Sequence, residues 1–430
     1  MQPGARLKAA EEILEDILNR HRPAALALAD WGKAHRFAGS GDRNAIGGVV
    51  YDALRRRASI AWALGSDAPR ALAIGAATSA LGLTPDAIAL ACSGAPHALE
   101  QLTEAETAGL SRDVADAPDH IRADVPEWLW PSFVASFGDN AVMEGQKLAE
   151  RAPADLRINT LKATREKVLK ALAEFNAAET ALSPVGVRVP APLGTARTPN
   201  LQSEAAFQAG WFEVQDEGSQ LVSMLAGSDP RLQVLDLCAG AGGKTLALSA
   251  NMQNTGQIYA YDEDRQRLKP IFERVKRAGV RNVQVLRGGD HKALSALGPR
   301  FDLVLVDAPC TGTGVWRRRP EAKWKLRPQS LEQRQAEQLA VLNTARSLVK
   351  PGGRIVYVTC SLLPEENGGR VAAFLAGAPE FRFEPFADVW RARVGTEPPR
   401  SADARDDGLL LTPGSHGTDG FYCATLRHSG

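Results

Sequence analysis

Apolar and polar positions divide the chain into regions of different periodicity. In the first quarter of the chain, apolar side chains such as Leu7 and Ile17 recur every three or four positions, which predicts one helix after another. Prolines and polar residues interrupt this pattern at 116–131. An alternating stretch at 156–162, followed by a helical pattern after Thr164, then predicts a small α/β unit.

Short apolar strands alternate with helical stretches in the second half of the chain. Such alternation predicts a doubly wound parallel sheet, and therefore an α/β fold class. We predict a helical domain at 1–125, a connector with a small α/β subdomain at 126–205, and a larger α/β domain at 206–430. The predicted strands of the larger domain are 233–237, 257–261, 283–286, 301–306 and 354–358.

Composition excludes several classes of protein. The 430 residues are 44% hydrophobic and 23% charged, which is typical of a folded globular chain, and no apolar run is long enough to predict a membrane span. We therefore expect a cytoplasmic protein without a membrane partner. The net charge of +1 predicts no nucleic-acid partner by itself, so such a contact requires local basic patches. Scattered cysteines without C-x-x-C spacing argue against a disulfide framework and a zinc site: Cys92, Cys238, Cys310, Cys360 and Cys423.

A glycine-rich turn follows the first strand of the larger domain and precedes a helix. Small residues at 238–243 let backbone N–H groups approach a ligand, but their spacing fits neither a phosphate loop nor the G-x-G-x-x-G pattern. The next strand ends at Asp262, where a carboxylate can accept from the hydroxyls of a ribose. Later strands lead to Asp290 and Asp307. A single Asp at a strand end is as often a helix cap as a ligand-binding residue. Three of them beside a glycine turn predict a nucleoside site.

Two cysteines follow successive strands of the same predicted sheet. Cys310 comes directly after Pro309, whose ring restricts the backbone and can aim the thiol into the crevice, and Cys360 ends the following strand. A thiolate is the natural nucleophile for an electron-poor ring carbon. We expect both thiols to face one pocket. The residues alone leave open which thiol attacks, and a buried apolar cysteine is the ordinary alternative.

These motifs resemble those of a known family. Asp-Ala-Pro-Cys-x-Gly-x-Gly at 307–314, Thr-Cys-Ser at 359–361 and Cys-Ala-x-x-Gly-Gly-Lys-Thr at 238–245 look like the S-adenosylmethionine-dependent RNA 5-methylcytosine methyltransferases of the RsmB/Sun family. Residues 42–55 look like the NusB-like RNA-binding domain of its bacterial members. The resemblance implies a Rossmann-like class I methyltransferase domain with a parallel-rich sheet, preceded by a small RRM-like α/β subdomain and an all-α NusB-like domain. Further matching elements are 157–159, 215–219 and 417–421.

The resemblance also implies a role for each site residue. In that family the thiol of the Thr-Cys motif attacks carbon 6 of cytosine and the thiol of the Pro-Cys motif is needed for product release, which makes Cys360 the nucleophile and Cys310 the release residue. Asp307 is expected near the methyl donor and the target base, where it can accept from the cytosine amine. The implied contacts of S-adenosyl-L-methionine are Cys238, Ala239, Gly240, Ala241, Gly242, Gly243 and Lys244 for the methionine part, Asp262 for the ribose and Asp290 for the adenine.

Two further features bear on the ligands. Where the family usually has Ala-Pro, this chain has Gly240-Ala241, and the lost proline predicts weaker cofactor affinity rather than inactivity. Residues 316–327, the Trp/Arg segment, interleave two tryptophans with cations, a pattern that suits phosphate neutralisation and base stacking. We expect this segment, with residues 55–57 and Arg157, to form a local RNA-binding surface.

The predicted function is methylation of carbon 5 of a cytosine in RNA. The NusB-like region favours 16S rRNA before or during subunit assembly as the partner, with the protein acting as a monomer and without a metal. A tRNA cytosine is the nearest alternative. A non-catalytic RNA-binding ribosome-assembly factor is an alternative from another class, against which the presence of both thiols argues. A small-molecule or protein methyltransferase is disfavoured by the Trp/Arg segment.

Overall fold

Helices alone form the N-terminal part of the structure, a computed structural model that describes residues 1–192, 194–196, 199–403, 405 and 408–430. The apolar faces of the first six helices close on one core around Leu14, Val50 and Leu72, all fully buried, whereas Phe133 and Leu148 in the last two helices belong to the core of the larger domain. Pro69 and Pro85 occupy first helical positions, where no N–H is needed. The helices are α1 (Pro3–Asn19), α2 (Ala24–Ala34), α3 (Ser40–Arg55), α4 (Arg57–Leu64), α5 (Pro69–Leu81), α6 (Pro85–Ala91), α7 (Glu104–Gly109), α8 (Asp119–Arg122), α9 (Trp130–Phe137) and α10 (Ala141–Leu148).

A small antiparallel sheet follows, with the strand order β2-β3-β1-β4. Thr164 caps its first helix by accepting a hydrogen bond from Lys167 N, as its sequence position predicts. The last strand lies beyond residue 205, so this sheet takes one strand from the range predicted for the larger domain. Its elements are β1 (Ala154–Ile158), α11 (Arg165–Ala171), β2 (Ala178–Glu179), β3 (Gly186–Val189), α12 (Ala205–Gln208) and β4 (Phe212–Val214).

The larger domain is built on a mostly parallel sheet. Its strands run in the order β10-β12-β9-β8-β5-β6-β7, with β11 beside β12, and β12 is antiparallel to β9 and β10. The elements are α13 (Glu217–Leu225), β5 (Gln233–Asp236), α14 (Gly243–Asn251), β6 (Gln257–Ala260), α15 (Arg265–Leu268), α16 (Ile271–Ala278), β7 (Val283–Val285), α17 (His291–Ser295), β8 (Phe301–Asp307), α18 (Pro320–Lys325), α19 (Pro328–Leu348), β9 (Val349–Thr359), α20 (Gly368–Gly377), β10 (Phe381–Glu384), α21 (Phe386–Arg393), β11 (Leu409–Leu411), α22 (Pro413–His416) and β12 (Phe421–His428).

Both faces of this sheet are covered by helices. Successive side chains of β8 belong to different cores, because Leu303 packs with Leu248 of α14 on one face and Val304 packs with Leu342 of α19 on the other. This two-sided burial explains the continuous apolar runs that predict the strands. Within the described residues, no helix combines the length and apolarity needed to span a membrane.

The Trp/Arg segment is only partly exposed. Trp316 is fully buried and stacks on Phe133 of α9, with ring centroids 5.8 Å apart. Lys323 is also buried, and its Nζ donates to the carbonyl oxygens of Arg55 (3.1 Å) and Asp124 (2.8 Å). For these two residues the predicted exposure was wrong, because cations next to tryptophans look alike in sequence, whether they face solvent or a neighbouring domain. The exposed cations of the segment are Arg318, Arg319, Lys325 and Arg327.

The same segment joins the helical region to the larger domain. Trp324 Nε1 donates to the Leu54 carbonyl (2.6 Å), and the guanidinium of Arg55 donates twice to the Arg317 carbonyl (3.1 and 3.0 Å). Arg157, also expected to face RNA, is only 5% exposed. These cations are therefore structural donors between domains.

Replacing Lys323 with methionine should weaken this junction. Methionine keeps an apolar stem but leaves the buried carbonyls of Arg55 and Asp124 without their donor, which costs about 1–3 kcal/mol of unfolding free energy. Urea unfolding followed by circular dichroism measures the loss. Arg319→Met, which removes an exposed cation directly before the same helix, should change stability by less than about 0.5 kcal/mol. Equal stability of Lys323→Met and the parent would contradict the structural role.

Candidate active site

The parallel pairing of β8 with β9 brings the two predicted thiols together. Asp307 is paired with Val358, so the chain leaves both strands at the same level of the sheet. Cys310 and Cys360 follow within three residues, and their sulfur atoms lie 3.3 Å apart. Both side chains are half-buried. They form one cluster at the carboxyl edge of the sheet, where ligands bind in open α/β folds.

The contact between the two sulfurs shifts the pKa of Cys310. That pKa lies well above the ordinary value, first because of the hydrogen bond with Cys360 and then because the thiol is buried. Either sulfur can be the donor in this contact. A thiolate is the nucleophilic form of cysteine.

A contact between two glycines holds the loop after Cys310 in place. Gly314 N donates to the Cys360 carbonyl (2.9 Å), and Gly420 N donates to the Gly314 carbonyl (2.8 Å). A Cβ atom on Gly314 would lie 2.3 Å from the Gly420 oxygen, so no larger residue fits. The residues that lead into β12 therefore support the loop that carries Cys310.

The glycine turn after β5 is locked to the end of β6. Gly240 and Gly242 have φ of +51° and +82°, and a Cβ on Gly242 would come within 2.4 Å of the Ile271 side chain. Gly240 N donates to Asp262 Oδ2 (2.8 Å), and Asp264 N donates to Asp262 Oδ1 (2.9 Å). Each carboxylate oxygen of Asp262 keeps a further lone pair for a ligand hydroxyl.

Lys244 and Asp307 form an ion pair between this turn and the thiols. Lys244 Nζ lies 2.7 Å from Asp307 Oδ2. Burial alone would lower the pKa of Lys244, but the carboxylate outweighs burial and raises it. The ammonium also interacts electrostatically with Cys360. Asp307 remains a third exposed, at 33%, so its carboxylate can meet a ligand.

The carboxylates at this edge fit a cationic nucleoside. Asp262, Asp290 and Asp307 stand at or after the ends of β6, β7 and β8, with the Lys244 ammonium beside Asp307. S-adenosylmethionine has a positive sulfonium and a ribose, which such a set of acceptors can hold. Asp290 also caps α17 by accepting from Ala293 N (3.0 Å), as the ordinary interpretation of a strand-end Asp predicts. The sites assigned to the cofactor thus lie along one sheet edge and remain predictions.

A buried ionic cluster near the loop that carries Cys310 was not predicted from the sequence. Asp419 pairs with both Arg317 and Arg318, and Asp216 Oδ2 lies 3.4 and 3.2 Å from the same two guanidinium groups. Burial, followed by repulsion from Asp419, raises the pKa of Asp216 to about 7. The only sequence signal was that both acids fall in family elements, at 215–219 and 417–421, which indicates no role.

Asp236 is a second missed residue, and it predicts a pH dependence. It is fully buried, accepts from Thr245 Oγ1 (2.6 Å), and its Oδ1 finds no hydrogen-bond partner among the described residues. Burial raises its pKa from 3.8 to about 7. The folded state therefore keeps a proton that the unfolded state loses, so Asp236 makes stability fall as pH rises from about 4 to about 7.

Asp236→Asn should remove this dependence. Asparagine still accepts from Thr245 and cannot ionise, so we expect the variant to exceed the parent by about 2–4 kcal/mol at pH 8 and to match it near pH 4. Urea unfolding of both proteins at the two pH values is the measurement. A stability difference that does not change with pH would contradict the buried proton.

Comparisons with known proteins agree with this geometry. Residues 223–427 match the family described as 16S rRNA methyltransferase RsmB/F, and residues 125–195 match its ferredoxin-like domain. The chain is 32% identical over 316 residues to ribosomal RNA small subunit methyltransferase B of Sodalis glossinidius, covering 73% of this chain and 68% of that protein. A probable ribosomal RNA small subunit methyltransferase B of Synechocystis is also 32% identical, over 70% of this chain and 66% of that protein.

Solved structures extend the similarity to nearly the whole chain. The crystal structure of PH0851 covers 99% of both chains with a TM-score of 0.74 and 26% identity. The structure of NSun6 from Pyrococcus horikoshii with SFG has a TM-score of 0.62 and 23% identity over 71% of this chain and 98% of that one, which supports the fold alone. The predicted fold class is confirmed, with its helical N-terminal region, small ferredoxin-like sheet and class I methyltransferase sheet. The predicted family is confirmed as well: the chain belongs to the RsmB/F family of S-adenosylmethionine-dependent 16S rRNA methyltransferases.

Proposed function

We propose that this 16S rRNA cytosine methyltransferase modifies carbon 5 of its target through a covalent adduct on Cys360. The observation that carries the proposal is the 3.3 Å separation of the Cys310 and Cys360 sulfurs, beside the ion pair of Lys244 with Asp307. Two thiols that reach the same ring can divide attack and release between them. When bound, S-adenosylmethionine supplies an electrophilic methyl group.

Cys360 is the nucleophile in this scheme. Its sulfur lies 3.3 Å from the Cys310 sulfur and interacts electrostatically with the Lys244 ammonium. As the bond from sulfur to carbon 6 of cytosine forms, the electron pair of the 5,6 double bond moves to carbon 5. Carbon 5 thereby becomes the nucleophilic atom at which the methyl group is added.

Cys310 is the base that releases the product. Its hydrogen bond with Cys360 is the main cause of its raised pKa, and that cause disappears once Cys360 is bonded to carbon 6. The half-buried Cys310 thiol can then give its proton to solvent and, as a thiolate, take the proton from carbon 5. The electron pair that the departing proton leaves on carbon 5 forms the 5,6 double bond again. The bond from carbon 6 to sulfur then breaks and returns the Cys360 thiolate.

Asp307 selects cytosine. Lys244 binds its Oδ2 at 2.7 Å and fixes the carboxylate, while the side chain remains partly exposed toward the crevice. A carboxylate accepts from the exocyclic amine of cytosine and repels the carbonyl oxygen that uracil carries at the same position. The discrimination thus follows from an acceptor held in one orientation.

The RNA backbone has a candidate path at the junction of the helical region with the larger domain. A cavity of about 610 Å³ there has no carboxylate among its described lining residues. Arg151 Nη2 is buried in the junction and has no acceptor among the described residues. Arg317 lies seven positions after Cys310, so the cavity wall lies at most about 25 Å from the thiols. The charged and aromatic lining residues are Trp31, Arg43, Tyr51, Arg55, Arg151, Arg317 and Arg318.

We assign the reaction to 16S rRNA before or during subunit assembly, in the cytoplasm. The target base must leave its stack to reach the thiols, and unassembled RNA permits this most readily. A monomer suffices, because one chain supplies Cys310, Cys360, Asp307 and the glycine turn.

Substitution of each thiol tests the division of roles. Cys360→Ala should lower methyl incorporation from labelled S-adenosylmethionine into 16S rRNA by about 10³-fold or more, because the attacking atom is gone. Cys310→Ala should form the adduct but not release it, which appears as a protein band of reduced mobility on a denaturing gel. Cys92→Ala, in the helical region, is the matched control and should keep normal turnover.

Two outcomes would count against the assignment. Equal incorporation by Cys360→Ala and the parent would rule out Cys360 as the nucleophile. A trapped adduct in Cys360→Ala, with none in Cys310→Ala, would exchange the two roles.

The basic cavity predicts a salt-dependent contact. Replacing both Arg43 and Arg151 with glutamine should raise the KM for RNA about tenfold and leave kcat near its normal value, because phosphate contacts position the strand without touching the reacting atoms. The slope of log Kd against log salt, measured by fluorescence anisotropy on an RNA fragment, should fall by about 1–2. Arg20→Gln, an exposed cation outside the cavity, should change neither quantity. An unaltered slope in the double variant would place the RNA elsewhere.

A further inference from the structure

Glu366 is a fully buried carboxylate bonded to the neighbours of both thiols. Its Oε1 accepts from Thr311 N (2.9 Å) and from Gln338 Nε2 (2.9 Å). Its Oε2 accepts from the hydroxyl groups of Thr311 and Ser361. Thr311 directly follows Cys310, and Ser361 directly follows Cys360. One side chain therefore ties together the two short segments that carry the thiols.

Other hydrogen bonds hold Glu366 itself in place and bind a further residue beside Cys310. Tyr357 of β9 donates through its hydroxyl to the Glu366 carbonyl (2.6 Å), which anchors the Glu366 backbone to the sheet. Gln338 of α19 donates not only to Glu366 but also to the Pro309 carbonyl (2.9 Å). The residues on both sides of Cys310 are thus held by the same carboxylate and amide pair.

The sheet does not provide this restraint. The ladder between β8 and β9 ends at the pair Asp307 and Val358, with one further bond from Ala308 N to the Val358 carbonyl (2.8 Å). Residues 309–312, the Pro-Cys loop, turn away from the ladder, and Gly312 has φ of +71°. Beyond the ladder, other acceptors must hold the loop against the end of β9.

We propose that Glu366 is a positioning residue, which sets the separation of the Cys310 and Cys360 sulfurs by accepting from Thr311 and Ser361 at the same time. The consequence for the reaction rests on the roles proposed above for the thiols. During release, the Cys360 sulfur leaves carbon 6 while the Cys310 sulfur removes the proton from carbon 5. Both sulfur atoms must therefore lie within reach of adjacent ring carbons. A small displacement of a reacting group lowers the reaction rate strongly.

A carboxylate suits this position better than other acceptors. Its two oxygens offer about four lone-pair sites, which match the four donors from Thr311, Gln338 and Ser361. The four hydrogen bonds offset the cost of burying the group. Because both oxygens are occupied and the side chain is 0% exposed, Glu366 holds groups in place rather than exchanging protons with the substrate.

Glu366→Ala and Glu366→Gln test the proposal with a thiol-bridging reaction. A short bifunctional reagent such as dibromobimane links thiols only when they are a few ångströms apart, and the Cys310–Cys360 product is measured by peptide mass spectrometry. Alanine should lower the bridging rate about tenfold. Glutamine should stay within about twofold of the parent, because its oxygen keeps Thr311 N and Gln338 and its amide can donate to the two hydroxyl oxygens.

Kinetics supply the second readout. Glu366→Ala should lower kcat about 10²-fold and leave the KM for RNA within about twofold, whereas Glu366→Gln should recover most of the kcat. The matched control is Glu365→Ala, which removes the adjacent carboxylate and its bond to Ser132 Oγ (2.6 Å) but none of the contacts near the thiols. It should bridge at the parent rate.

Distinct results would overturn the proposal. Parental bridging in Glu366→Ala would mean that the carboxylate does not set the sulfur separation. An equal loss in Glu366→Gln and Glu366→Ala would assign the effect to charge instead of position. If Glu366→Ala fails to fold, Thr311→Val removes one hydroxyl donor only. Its bridging rate should then fall below that of the parent, and a parental rate would overturn the proposal. Bridging needs neither RNA nor cofactor, so failure of the proposed thiol roles appears only in the methyl-transfer assay.

Discussion

The parallel register between β8 and β9 is the constraint on which the rest of the structure depends. Asp307 stands level with Val358, so both strands end together and the thiols emerge side by side. A slip of one residue would exchange the two faces of β8, moving Leu303 and Val304 into each other's core. Since helices fill both faces, this slip is strongly disfavoured, and the packing of the sheet also fixes the level at which the two segments that carry the thiols leave it.

Several cations of this chain bind groups inside the protein. Lys323 and Arg55 donate to backbone carbonyls between domains, and Arg317 is neutralised by Asp419. This use agrees with a net charge of only +1 in a family that acts on RNA. The cavity proposed for the RNA backbone lies at the domain junction, and Arg317 and Arg318, which follow the loop that carries Cys310, form part of its wall. In the proposed function, RNA contact and chemistry would thereby be joined through one continuous stretch of chain.

The strands and the thiol cluster were predictable because their signals are local. A parallel strand buried on both faces is an apolar run, and Asp307 and Cys310 follow such a run directly. The position of Lys323 was not predictable, since its acceptor on Asp124 lies 199 residues away in sequence. Glu366 was missed for a related reason: a buried carboxylate with uncharged donors resembles a surface glutamate in sequence. Motif resemblance provided roles for the site residues, and the geometry places those residues together without testing the roles.

The contact between Gly314 and Gly420 has a consequence for biosynthesis. Gly420 leads into β12, which lies between β9 and β10 in the sheet although the ribosome makes it after both. Domains made early in translation generally fold first, so the helical region and the small sheet can form while the Gly314 carbonyl still lacks its donor from Gly420. The loop after Cys310 gains this second backbone contact only when β12 enters the sheet. Full support of that loop therefore follows the synthesis of the strands on both sides of β12.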